Sequence, residues 1–112
     1  MKLSDLVNEI LAYNPKADVA LIKKAYFLSE KAHKGQMREG GEEYFSHPIE
    51  VAQILIEMKA DSASICAALL HDIVEDTEVP LSKIKEIFGE EIARLVEGLT
   101  KISKIHFSDQ KE

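Results

Sequence analysis

Apolar residues recur along this chain at spacings of three and four, and no stretch alternates apolar and polar with a period of two. That pattern predicts helices and no strands. About six segments are expected. The first spans about Ser4 to Ala12, with Ser4 as N-cap and Leu6, Ile10 and Leu11 inward, and Asn14-Pro15 breaks it. Asp18 is placed to cap the second, about Val19 to His33, where Ile22, Ala25, Tyr26 and Ser29 share a stripe. Lys34-Gly35 ends it, and Gly40-Gly41 marks a flexible loop. The third opens at His47-Pro48, with Pro48 suited to a first helical position, and its expected apolar face is Val51, Ile54, Leu55 and Met58. The fourth runs about Ser62 to Glu75, capped by Asp61 or Ser62. Ile65, Ala68 and Leu69 face inward, and Ala67-Ala68 permits close helix contact. Asp76-Thr77 and Pro80 follow. A short fifth helix, about Ser82 to Phe88, closes at Gly89. The sixth, about Glu90 to Ser103, is expected to bury Ile92, Leu95, Val96 and Leu99. Phe107 to Glu112 are mostly polar and read as a frayed end or the start of something further. The expected architecture is one all-α domain with short loops, without internal repeat, low-complexity tract or linker.

Composition narrows the function classes. The chain has 112 residues, with Lys plus Arg 14 against Asp plus Glu 20, for a net charge of −6. This acidic balance opposes binding to an extended phosphate backbone, and no helix is basic enough to read DNA. A small phosphorylated ligand needs only a local cluster of cations and stays open. No apolar run approaches the roughly 18 residues of a membrane span. Leu3 to Leu11 is interrupted by Asp5, Asn8 and Glu9, unlike a signal peptide. A single cysteine, Cys66, in an apolar helix reads as a packed core thiol. It excludes a disulfide framework and suits a reducing cytoplasm.

The densest group of ionisable residues is HDIVED, which holds His71, Asp72, Glu75 and Asp76. On a helix His71 and Glu75 are i, i+4, as are Asp72 and Asp76, while Asp72 and Glu75 are i, i+3. An apolar helix therefore emerges into four ionisable groups at its C-terminal end. Three carboxylates there oppose the helix dipole and repel one another, an arrangement that a divalent cation offsets most simply. The plainer alternative is a solvated acidic helix end with a structural histidine. His47 is either a second imidazole ligand from a neighbouring helix or an N-cap. His47, His71 and Asp72 together give an N, N, O donor set suited to Mn, Fe, Zn or Co rather than Ca or Mg alone. In HKGQMREGGEEYFSHP, His33, Lys34, Arg38, Tyr44 and the amides around Gly35, Gly40 and Gly41 offer cations, a stacking plane and donors for a phosphate or a flat base. The competing view is a glycine-rich surface loop with incidental charges. Thr100, Lys101 and Lys104 sit near the expected end of the last helix, where cations favour the dipole, and they also suit a pyrophosphate.

Three stretches, AHKGQMREGGEEYFSHPIEVAQIL (Ala32 to Leu55), AALLHDIVEDTEV (Ala67 to Val79) and FGEEIARLVEGLTKISKI (Phe88 to Ile105), are spread along the chain from Ala32 to Ile105. In this order and spacing the chain resembles the N-terminal HD hydrolase domain of the RelA/SpoT family. The resemblance implies a helical, Mn²⁺-dependent hydrolase that removes pyrophosphate from the 3′ position of ppGpp or pppGpp. It implies metal ligation by His47, His71 and Asp72, and water activation by Glu75 and Asp76. It also implies guanine stacking by Arg38, with His33, Lys34 and Tyr44 in segments that line the nucleotide pocket. The family's domain continues past the last residue here, to a helix carrying a fourth ligand, an aspartate. The loop Glu39-Gly40-Gly41 lacks the family's usual serine and proline. Residues 1–112 therefore read as a partial HD domain lacking the family's later helices, its synthetase domain and its regulatory domains. The alternative to a hydrolase is a catalytically inactive helical module that self-associates or completes its core with another chain through exposed apolar helix faces.

Overall fold

The computed structural model describes the backbone of residues 3–32 and 46–111, and side chains over 3–32, 48–74 and 77–101. The elements are α1 (Leu3–Tyr13), α2 (Val19–Ala32), α3 (Ser46–Glu57), α4 (Ser62–Asp76), α5 (Leu81–Phe88) and α6 (Glu90–Lys111). No strand occurs among the described residues. None of their helices is long and apolar enough to cross a membrane.

The helix α4 is the centre of the molecule. It packs against α2, α3 and α6, while α5 lies on α6 and α1 touches α2 and α3. Its run from Ile65 to Leu70 is buried on every side. A helix apolar all round can be stable only inside a shell of other helices. Each fully buried Leu or Ile there contributes about 1.5–3 kcal/mol from lost contact with water. Ala67 and Ala68 are both buried and let neighbouring backbones come close. Cys66 is a free, fully buried thiol, as expected for a core residue. Burial, aided by the charges of Asp18 and Asp61, pushes its pKa up to about 12.

Local signals fix where the helices begin. Asp61, not Ser62, caps α4: its Oδ1 accepts from the Ser64 amide at 2.8 Å. Ser62 Oγ instead accepts from the Asp18 amide at 3.1 Å. That bond joins the start of α2 to the start of α4. Asp18 Oδ1 accepts from the Leu21 amide and caps α2 as expected. Tyr13, at the end of α1, donates its hydroxyl to the Ala60 carbonyl at 2.8 Å. The sequence expectation errs at other ends. The first helix begins at Leu3, so Ser4 lies within its first turn and not at its cap. The third begins at Ser46, which makes Pro48 its third residue; the missing amide still costs nothing in the first turn. The sixth runs on to Lys111 instead of ending near Ser103.

The expected faces hold for α2 and α4 and fail for α3. In α3, Ile49, Ala52 and Ile56 are buried, whereas Ile54 is 56% exposed and Met58, which lies just past the helix end, is 71% exposed. Val51 and Leu55 are half-buried at the edge of the core. Leu95 of α6 is also exposed, while Ile92 and Val96 are buried as expected.

The turn from α3 to α4 carries a conformational cost. The Lys59 amide donates to the Ile56 carbonyl and the Ala60 amide to the Leu55 carbonyl, which closes the helix around a left-handed residue. That residue is Lys59, at φ 59°. A β-carbon in this conformation costs about 1–2 kcal/mol. Gly89, which ends α5, also has a positive φ, 96° with ψ 170°, and has no β-carbon to strain there.

Two outcomes follow for stability. Lys59→Gly should raise the stability to urea by up to about 1 kcal/mol, the strain relieved less glycine's greater freedom when unfolded; a lower midpoint would contradict the assignment of strain. Asp61→Ala should cost about 1 kcal/mol at pH 7. Hydrogen bonds from Ser64 hold the Asp61 carboxyl below its usual value of 3.8. A lowered folded pKa contributes stability that is present above 3.8 and is lost as the pH falls through the lowered value. The wild-type advantage in melting temperature should therefore shrink between pH 5 and pH 2, and an advantage constant over that range would refute the capping account.

Candidate functional site

The C-terminal third of α4 is where the apolar core gives way to ionisable groups. His71 and Asp72 follow Leu70 directly, and both remain largely enclosed, with side chains 12% and 8% exposed. His71 is fixed by its own helix. Its Nδ1 lies 2.8 Å from the Ala68 carbonyl oxygen. A carbonyl can only accept, so Nδ1 carries the proton and donates. In the neutral ring the in-plane lone pair is then on Nε2.

That Nε2 lies 3.1 Å from Asp72 Oδ1. A lone pair facing a carboxylate oxygen in a buried setting is repulsive unless a cation lies with them. Either a proton on Nε2 or a bound metal ion meets the requirement. Two donors about 2.1 Å from one ion and at right angles about it stand about 3.0 Å apart, so this pair fits two adjacent positions on a divalent centre. The bond from Nδ1 to a backbone carbonyl is also the usual orienting contact of a metal-ligating imidazole. The donor chemistry thus fits a first-row divalent ion. Asp72 Oδ2 is shut away from solvent as well.

The end of the helix is closed without any basic residue. Thr77 donates both its amide and its Oγ1 to the Ile73 carbonyl, at 3.0 and 2.6 Å, and accepts from the Val79 amide at 3.2 Å. No lysine, arginine or histidine occupies the last turn of α4. The negative helix end is therefore left to be offset from outside the helix.

The remaining expected site residues are placed as follows. His47 is the second residue of α3, a helix packed on α4, and its side chain lies outside the described residues. Glu75 and Asp76 fall in the last turn of α4, and their side chains also lie outside them. His33, Lys34, Arg38 and Tyr44 lie outside the described residues altogether. Among the described residues, no three His, Cys, Asp or Glu side chains gather into a metal-holding group. The pair His71 and Asp72 is what the described residues bring together.

Lys101 differs from its sequence expectation. Because α6 continues to Lys111, Lys101 is interior to the helix and not at its negative end. It is exposed and bridges to Glu97 one turn earlier, at 2.9 Å. This bond holds the Glu97 carboxyl below its usual range. Arg94 makes the equivalent bridge to Glu90. Thr100, beside Lys101, is buried.

Comparison with known proteins agrees with this architecture. The model of the HD domain family matches residues 25–112. The chain is 45% identical, over 99% of its length, to a GTP pyrophosphokinase rsh of Brucella melitensis, of which it spans 15%. It is 52% identical over 86% of its length to a GTP pyrophosphokinase of Myxococcus xanthus, of which it spans 13%. It is 42% identical over its whole length to the bifunctional (p)ppGpp synthase/hydrolase SpoT of Escherichia coli, of which it spans 16%. An all-helical chain with an adjacent His-Asp pair at the end of its central helix, and with these relatives, belongs to the HD-domain family and within it to the RelA/SpoT group.

Proposed function

We propose that this chain is a metal-dependent hydrolase domain for guanine nucleotides that carry a 3′-pyrophosphate. In the reaction water adds across the bond between the 3′-oxygen and phosphorus of ppGpp or pppGpp. Pyrophosphate leaves, and the 3′-hydroxyl of GDP or GTP is restored. The observation that carries the reading is the buried contact between His71 Nε2 and Asp72 Oδ1, which sets a nitrogen and an oxygen donor side by side at the end of α4. The relatives suggest the substrate class: one is a bifunctional (p)ppGpp synthase/hydrolase, another a guanosine-3′,5′-bis(diphosphate) 3′-pyrophosphohydrolase.

In this reading His71, Asp72 and His47 hold the ion, and Mn²⁺ suits two imidazoles with a carboxylate. A bound divalent ion supplies a water of lowered pKa and polarises a phosphoryl oxygen. Glu75 and Asp76, in the next turn of the same helix, would orient a water there and accept its proton. Arg38 stacks on the guanine, and His33, Lys34, Tyr44 and Lys101 meet the nucleotide and its phosphates. The single buried cysteine accords with a reducing compartment, and we assign the chain to the cytoplasm.

A second reading is favoured by one specific observation. Ile54 of α3 and Met58, just past the end of that helix, stand exposed four residues apart. An apolar stripe of this kind suits a helical module that associates with itself or with another chain, without catalysis. Sedimentation as a clean monomer at high concentration would remove this alternative.

The chain should bind one Mn²⁺ per molecule in titration calorimetry, and His71→Ala should weaken that binding at least about 100-fold, more than the loss of an orienting neighbour costs. With Mn²⁺ present, ppGpp should yield GDP and pyrophosphate by ion-exchange chromatography, and chelation should stop the reaction. Intact ppGpp together with no Mn²⁺ binding would overturn the proposal.

A further inference from the structure

The enclosed part of the molecule contains two hydroxyls that the reading above does not use. Ser29 of α2 is fully buried and Thr100 of α6 is 9% exposed. Neither Ser29 Oγ nor Thr100 Oγ1 has a hydrogen-bond partner among the described residues, and both atoms are closed to solvent. Helical serine and threonine usually resolve this by donating to the carbonyl one turn back, as Thr77 does to Ile73. Ser29 and Thr100 do not.

Helix register places both beside the same turn of α4. The Asp18 amide bonded to Ser62 Oγ sets the starts of α2 and α4 side by side. At about 1.5 Å of rise per residue, Ser29 then lies about 16 Å along α2 and Asp72 about 15 Å along α4. Ser29 continues the buried stripe of Ile22 and Ala25, and α4 is the main neighbour of that helix. Thr100 arrives from the other side. Leu81 and Ser82, at the start of α5, share a groove with Ala93, Arg94 and Glu97 of α6, so α5 and α6 run antiparallel. Thr100 lies about one turn past Glu97, level with the short link from Asp76 to Leu81 and hence with the C-terminal end of α4. The α5 helix does not extend that far, and among the described residues the end of α4, the main neighbour of α6, lies at this level.

We propose that Ser29 and Thr100 are positioning residues for the Asp72 carboxylate. Their hydroxyls donate toward it from opposite flanks of α4, each across one ordered water. A carboxylate oxygen accepts more than one hydrogen bond, so this adds to its other contacts. Buried hydroxyls without a protein partner are characteristically met by such waters. The role deepens the assignment of Asp72 as a metal ligand: a ligating carboxylate works best when its free lone pairs are fixed from outside.

The test uses the full chain with Ser29→Ala, Thr100→Val and the hydroxyl-retaining Thr100→Ser, each in the wild-type and the Asp72→Ala background. Without metal, Ser29→Ala and Thr100→Val should each lower the melting midpoint by about 4 °C. That loss should disappear in the Asp72→Ala background, and Thr100→Ser should melt like its parent. Mn²⁺ affinity in calorimetry should fall about tenfold in Ser29→Ala and Thr100→Val and recover in Thr100→Ser. Midpoints that rise or stay level in both backgrounds overturn the proposal, because relieving an unpartnered buried hydroxyl stabilises. A loss that persists unchanged in the Asp72→Ala background also overturns it, since the hydroxyls then serve packing alone. If the wild-type chain takes up no Mn²⁺, the metal assignment fails by itself, and the metal-free melting comparison still decides the role of the two hydroxyls.

Discussion

The rest of the structure depends on the enclosure of α4. Its middle turns are buried on every side, and α2, α3 and α6 are arranged to enclose it. Six consecutive residues from Ile65 to Leu70 contribute burial energy that no cap or surface ion pair approaches. A cap is worth about 1 kcal/mol and an exposed pair such as Arg94 with Glu90 well under that. The contacts around the helix mainly set its position. Asp61 fixes where α4 begins, Ser62 ties that point to α2, and Tyr13 ties α1 to the residue just before it.

Enclosure also explains why the chemistry is at one end. A helix held this firmly carries its first polar residues to the limit of the core, and His71 and Asp72 meet there with little solvent to share. A carboxylate removed from water loses several kcal/mol of hydration, which the groups around it have to return. In the proposed reading that demand defines what the place attracts. It favours a positive ion that accepts nitrogen and oxygen donors, and it disfavours an anion or an apolar ligand.

Much of this was legible from residue order. The six helices, the two aspartate caps, the Gly89 terminus and the buried stripe of α2 all follow from local rules that depend on a few neighbouring residues. The face of α3 did not, for a physical reason. Two sets at helical spacing compete there: Val51, Ile54, Leu55 and Met58 are the bulkier, but Ile49, Ala52 and Ile56 turn inward. Close approach to α4 selects the set containing alanine, and that preference belongs to the helix pair and not to either sequence alone. The length of α6 was misjudged similarly, because its later turns are too polar to announce a helix by periodicity. At the site, the His-Asp spacing was readable, whereas the tautomer of His71 was not: it follows from a carbonyl three residues back. His33, Lys34, Arg38 and Tyr44 were readable only as chemistry, since glycine-rich segments carry little periodicity.

The bond from His71 to the Ala68 carbonyl lies wholly within α4, and Asp72 is the next residue along. Both donors therefore travel as one rigid claw when the helix shifts, and the bite between them is unaffected by how its neighbours breathe. Any further donor carried by α3 sits on a separate body, across an interface lined by Ile49 and Ala52. If the proposed ion is held there, changes in that apolar seam would alter the grip on it without touching a polar atom, and the hydrocarbon packing of α3 would act as its tuning screw.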